Sequence, residues 1–279
     1  MAKIMAKKKR FGWYWWCGCL AAVLIWLGIQ QTSHAIPLLE LLFRGIQIIQ
    51  ITSIDDNQEV AIGRQINRQI TNGQVSILRD RQINNYINEI GQRLASNSRR
   101  NNIPYTFQVV DDPGINAFAT MGGFVYVNSG LITAAENEAQ LASVLSHEIG
   151  HIAARHVIER LKQTAIARGL ITAAGLDESL VVNLGIELAL NLPNSREDEF
   201  QADRLGLENL KASGYAPMPM VDFMQKLTGR PSLPTIFSTH PAPEDRINSL
   251  LEQITPSESY VGRGLDTRQY RRRIAPLLE

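Results

Sequence analysis

The sequence predicts an α+β fold in which helices dominate. Apolar residues recur at three- and four-residue spacing along most of the chain, whereas period-two alternation is confined to residues 105–128. With 279 residues and 44% hydrophobic content, the chain can bury one sizeable core or two small ones. Its 28 basic and 27 acidic residues leave a net charge of +1, which argues against nucleic acid as a partner.

The chain begins with Lys3, Lys7, Lys8, Lys9 and Arg10 and no acid, then runs through uncharged residues 11–29 to Ser33-His34-Ala35. A basic start, an apolar run and a small-x-small end read as an export signal in residues 1–35. The run is also just long enough to span a bilayer, so an uncleaved anchor is the alternative, and the body is expected outside the cytoplasm either way. Cys17 and Cys19 both fall in this run, so the remainder has neither disulfides nor cysteine ligands. Residues 36–52 are an apolar connecting segment.

From Ser53, taken as an N-cap, residues 53–255 read as the functional domain. Ile62, Ile66 and Ile70 form the apolar stripe of a helix over 58–70, and Gly63 within it hints at a close packing contact. Asn72-Gly73 ends it, and Ile83, Tyr86, Ile87, Ile90 and Leu94 mark a second helix over 79–96. Residues 105–110 alternate like a strand. Residues 116–120, Met121-Gly122-Gly123 and 124–128 read as a hairpin, whose edge either holds an extended peptide by main-chain hydrogen bonds or is purely structural.

Next comes the stretch that carries chemistry, a helix within 137–160 containing His147-Glu148-Ile149-Gly150-His151. Residues four apart share a helix face, so His147 and His151 can offer two ring nitrogens to one metal ion, with Glu148 beside them. In H-E-x-x-H, two histidines bind Zn²⁺ and the glutamate activates a water. A catalytic zinc needs one more protein ligand. His156, five residues past His151, points about 140° away on a continuous helix, so it is assigned packing or capping. The long metzincin motif fails too, because Ala154 and Val157 stand where it needs glycine and histidine. Glu199 and Asp203, four apart on a helix between Pro193-Asn194 and Gly214, are the better candidates: Glu199 as ligand, Asp203 as acceptor for a ligand histidine's N–H. A solvated acidic face is the alternative.

These motifs together resemble the zinc metalloendopeptidases of the HtpX, Oma-type and CAAX-prenyl-protease family. His147-Glu148-x-x-His151 is followed by Ser195-Arg196-x-x-Glu199-x-x-Ala202-Asp203. Asn116-Ala117-Phe118-Ala119 resembles the family's substrate edge strand, Glu59-x-x-x-Gly63-Arg64-Gln65 its first helix, and Thr239-His240-Pro241 with Arg246 its C-terminal motif. The resemblance covers roughly residues 53–250. It implies a zincin domain with a small antiparallel sheet beside the active-site helix, and one Zn²⁺ per chain on His147, His151 and Glu199. It also implies Glu148 as general base and His240 with Arg246 at the transition state, with capping of the zinc by His240 as the alternative. Integral-membrane members carry several spanning helices; with at most one span here, a prenylated substrate is not expected. Residues 165–192, interrupted by Arg168, Asp177, Glu178 and Glu187, read as a helical hairpin or lid rather than a span.

The expected function is hydrolysis of misfolded or unassembled envelope proteins, with the membrane as a partner through the leader if it is uncleaved. The rival is an envelope chaperone or assembly factor with structural zinc. Residues 256–279, with Arg263, Arg268, Arg271, Arg272 and Arg273, read as a basic, solvated tail.

Overall fold

A mixed three-stranded sheet divides the hydrophobic interior in two. The structure is a computed structural model that describes residues 48–49, 53–170, 175–232 and 234–279. The leader, most of the connecting segment and the cysteine pair lie outside the described residues. Residues 47–279 form one unit. Among the described residues no helix is long and apolar enough to cross a membrane.

Helix α1 (Asp56–Gln69) is capped by Asp55 in a reciprocal capping box with Gln58, not by Ser53 as expected, and runs into a π-turn at Ile70–Gln74. At Gly63 an added Cβ would sit 2.2 Å from the Met121 carbonyl oxygen, so this glycine is required by the close approach of the hairpin turn. Helix α2 (Arg81–Ser96) starts at Asp80. A two-residue strand β1 (Ile48–Ile49) pairs antiparallel with β5 (Leu176–Asp177).

The main sheet is β2 (Thr106–Val110), β3 (Ala117–Thr120) and β4 (Phe124–Asn128), in the order β2-β4-β3. The hairpin β3–β4 is antiparallel as expected, but β2 pairs with β4 in parallel, so the sheet is mixed rather than antiparallel. The reason lies in the order: the chain leaves β2, makes β3 at the far edge, and returns between them. Strand β4 is buried throughout because it serves both cores. Phe124 and Tyr126 face one, Val125 and Val127 the other.

Five helices follow the hairpin closely: α3 (Ser129–Ala134), α4 (Glu138–Ala153), α5 (His156–Ala167), α6 (Glu178–Leu190) and α7 (Arg196–Ala212). Asn137 caps α4 by accepting from the Gln140 amide, and α5 packs on α6; of the stretch 165–192 read as a hairpin or lid, α6 is the one whole helix among the described residues. Then come α8 (Met218–Thr228), the short α9 (Ile236–Thr239), α10 (Pro243–Gln253) and α11 (Thr267–Arg273).

The C-terminal stretch is not a solvated tail. Tyr270 and Ile274, four apart, are buried in the core. The Tyr270 hydroxyl donates to the Ile132 carbonyl at 2.6 Å, and the Gly264 carbonyl accepts from Ala139 in the first turn of α4. Arg271, Arg272 and Arg273 occupy the outer face, which is why composition alone suggested solvation.

Buried tyrosines set an alkaline limit on this fold. Tyr86 and Tyr215 both donate to the Glu138 carboxylate at 2.8 Å, anchoring the start of α4. Burial, then the Glu138 charge, push both phenols above their usual value; burial does the same for Tyr126 and Tyr270. The unfolded chain ionises these phenols near pH 10 while the folded chain resists. Their contribution is therefore complete below about pH 10 and is lost above it, at about 1.4 kcal/mol per pH unit for each tyrosine. Circular dichroism with phenolate absorbance is expected to show unfolding and ionisation together in one steep transition above pH 10. Ordinary titration near pH 10 in a still-folded protein would contradict this.

Candidate metal centre

Two helices build the site by direct backbone contact. Gly150 of α4 lies against α7 so closely that a Cβ there would be 2.5 Å from the Ala202 carbonyl oxygen. This contact sets Glu199 and Asp203 beside the histidines of α4. Ser195 caps α7 by accepting from the Asp198 amide at 3.1 Å, which fixes the register of Glu199.

His147, His151, Glu199 and His240 form a buried group that can hold one metal ion. His147 Nε2 is 3.0 Å from His151 Nε2 and 3.3 Å from His240 Nδ1. Glu199 Oε2 is 3.4 Å from His147 Nε2, while Oε1 is 3.2 Å from His151 Nε2 and 3.1 Å from His240 Nδ1. Ligands about 2.1 Å from a tetrahedral zinc stand roughly 3.4 Å from one another, so the observed edges fit that ion. Tautomers agree. Asp203 Oδ1 lies 2.9 Å from His147 Nδ1, taking its proton there and leaving Nε2 as a lone pair. A cation among the four donors would satisfy all of their converging lone pairs at once.

Glu148 stands apart from the four donors. It is 1% exposed, its Oε1 accepts no hydrogen bond, and it lies 3.5 Å from His240 Nε2. It lines a cleft with Phe118 and Ala119 of β3, His151, Asn194 and His240, covered by Leu188, Ala189 and Leu192. Strand β3 has β4 on one side and no strand on the other among the described residues, so it is a sheet edge beside the site. Asn116 precedes it and accepts from the Asn128 amide; Phe118 stacks on Tyr126 with centroids 4.5 Å apart.

Arg246, 2% exposed on α10, reaches the carboxylates of the site. Its Nε and Nη2 donate to Asp203 at 2.6 and 2.7 Å, and its Nη1 lies 2.5 Å from Glu199 Oε2 and 3.5 Å from the His240 carbonyl. Every nitrogen of the guanidinium is therefore engaged by the protein.

Burial by itself would raise both carboxyls, but Arg246 and the histidines hold Glu199 well below its usual value and Asp203 down at about 2. Burial and Arg246 oppose charge on His147, yet Asp203 and Glu199 prevail and hold it up at about 9, so a metal at Nε2 would take the place of a proton there; burial drops His151 to about 3.

Sequence reasoning missed three neighbours. Asn194, read as punctuation before α7, donates to Glu199 Oε1 at 2.7 Å, and Arg160 holds Asn194 through Oδ1 at 2.5 Å. His156 is not turned away. Helix α4 ends at Ala153, Arg155 takes a left-handed conformation (φ 60°), and His156 opens α5 with its Nδ1 2.8 Å from His151 Nδ1.

The profile of peptidase family M48 matches residues 81–254. The chain belongs to this family. Its domain is that of a zinc metallopeptidase, in agreement with the resemblance the motifs carry. The chain is 29% identical over 254 residues to the putative beta-barrel assembly-enhancing protease of Vibrio cholerae, covering 85% of this chain and 51% of that protein. It is 31% identical over 215 residues to the beta-barrel assembly-enhancing protease of Escherichia coli, covering 70% and 44%. With the mitochondrial metalloendopeptidase OMA1 of Arabidopsis thaliana it shares 34% identity over 169 residues, 59% of this chain and 34% of that protein. It thus spans about half the length, or less, of these relatives.

Proposed function

We propose that this protein is a zinc-dependent metalloendopeptidase that cleaves peptide bonds in misfolded or unassembled envelope proteins. The observation that carries the reading is a buried Glu148, its Oε1 accepting no hydrogen bond, in a cleft shared by the metal-binding group and a sheet edge. A chaperone with structural zinc needs no such base, which counts against the rival. The names of the beta-barrel assembly-enhancing relatives support envelope proteins as substrates, and the basic, apolar leader supports an extracytoplasmic body held near the membrane.

His147, His151 and Glu199 hold the zinc in this reading. Bound zinc supplies a Lewis acid that polarises the scissile carbonyl and lowers the pKa of water to about 7. Glu148 Oε1 takes the proton of the attacking water and returns it to the leaving amine. Strand β3, from Asn116 through Phe118, aligns the peptide by main-chain hydrogen bonds. An apolar cavity of about 400 Å³, open solvent included, lies against His147 and His240 and is lined by Val144, Met220, Phe223, Met224 and Phe237; it suits an apolar substrate side chain. His240 Nδ1 is the fourth converging donor, so His240 would cap the metal until its ring moves aside for a water. Once displaced, its ring is near enough to serve the transition state.

The test pairs zinc content with cleavage of casein. One zinc per chain is expected, with cleavage lost on chelation and regained on adding zinc. Cleavage that survives removal of the metal would sink the reading.

A further inference from the structure

Each metal-binding histidine must present one nitrogen to the metal and dispose of the proton on the other. His147 does so through Asp203. His151 has no carboxylate at its outer nitrogen: its Nδ1 faces His156 Nδ1 at 2.8 Å. Two ring nitrogens at that distance share one proton, so one donates and the other accepts. For His151 Nε2 to carry a lone pair into the donor group, the proton must sit on His151 Nδ1, and His156 Nδ1 must accept it. The remaining proton of His156 then lies on Nε2. There the structure provides its acceptor, Gln201 Oε1 at 3.1 Å, with Asp198 Oδ1 at 3.5 Å from the same nitrogen. Every donor in the row meets an acceptor.

We propose that His156 is a positioning residue that holds His151 in its metal-binding tautomer and orientation, through a row running from Gln201 to His156 to His151. This rests on the zinc reading above. The row also joins three elements, since His156 opens α5, His151 ends α4 and Gln201 lies in the first turns of α7. Charge explains why an imidazole stands where His147 has a carboxylate. Glu148, Glu199 and Asp203 together carry three negative charges, which Arg246 and a divalent ion neutralise. A further buried carboxylate at position 156 would leave one charge unmatched, whereas a neutral ring accepts the hydrogen bond without adding any.

The test measures the zinc dissociation constant by competition with a chromophoric chelator, alongside the melting temperature of the zinc-free protein. His156→Phe keeps the ring volume and removes the acceptor; the constant is expected to rise about 10–100-fold. His156→Asn places an amide oxygen near the former Nδ1 position and is expected to restore affinity, which a packing role would not produce. Gln201→Leu, at an exposed residue, frees the far end of the row and is expected to weaken zinc binding without lowering the zinc-free melting temperature; it also serves if His156→Phe does not fold. Wild-type affinity in His156→Phe, or in Gln201→Leu where the former fails to fold, would overturn the proposal, as would His156→Asn binding no better than His156→Phe. Absence of zinc from the wild type would instead overturn the metal reading, and this inference with it.

Discussion

Glu148→Gln is expected to keep one zinc per chain while its turnover of casein falls by about 10²–10⁴-fold, the range a positioned general base contributes. The two halves of this result have separate causes in the site. Zinc is retained because Glu148 is not among the four converging donors; its nearest partner is His240 Nε2 at 3.5 Å. Turnover is lost because an amide has the carboxylate's shape without its basicity, and the atom it replaces is a buried Oε1 that accepts no hydrogen bond. Substrate affinity should change little, since Phe118, Ala119 and the apolar cavity are untouched. Cleavage within tenfold of wild type would remove Glu148 from the mechanism. Loss of zinc would show that Glu148 shapes the donor group rather than acting on water.

The parts of this site that were legible in the sequence are those set by local periodicity. Four-residue spacing on a helix places His147 over His151 and Glu199 over Asp203 whatever the rest of the chain does. The hairpin was legible for the same kind of reason, because alternation broken by Met121-Gly122-Gly123 leaves little other choice. What escaped depends on breaks that carry no sequence signal. Arg155 adopts a left-handed conformation normally left to glycine or asparagine, at a cost of about 1–2 kcal/mol. Distant partners hold it there: its Nη2 donates to the Ile54 carbonyl at 2.6 Å and meets Glu59 at 3.1 Å. Read as one continuous helix, the stretch turns His156 away from His151; the break turns it back. The parallel pairing of β2 with β4 and the burial of Tyr270 were likewise settled by packing across the molecule, which no local pattern encodes. Arg246 shows the limit of motif spacing. Its distance from His240 along the chain located it correctly at the site, but only the structure reveals that the carboxylates occupy its guanidinium.

That occupancy leads to the second large effect. Arg246→Met is expected to destabilise the zinc-free protein by about 3–5 kcal/mol, because removing one partner of a buried ion network strands the others. Asp203 would lose its bidentate partner and keep only His147; Glu199, fully buried, would lose the cation beside Oε2. Zinc bound on Glu199 would restore a positive charge at one of the two carboxylates. The zinc-bound variant should therefore lose less stability than the zinc-free one, and the rise in melting temperature on adding zinc should be larger in Arg246→Met than in wild type. Denaturant unfolding with and without chelator measures both arms. Equal losses in the two states would mean that Arg246 acts through packing of α10 rather than through charge. A variant as stable as wild type but unable to turn over substrate would assign Arg246 to the transition state, in spite of the Asp203, Glu199 and His240 groups that hold it.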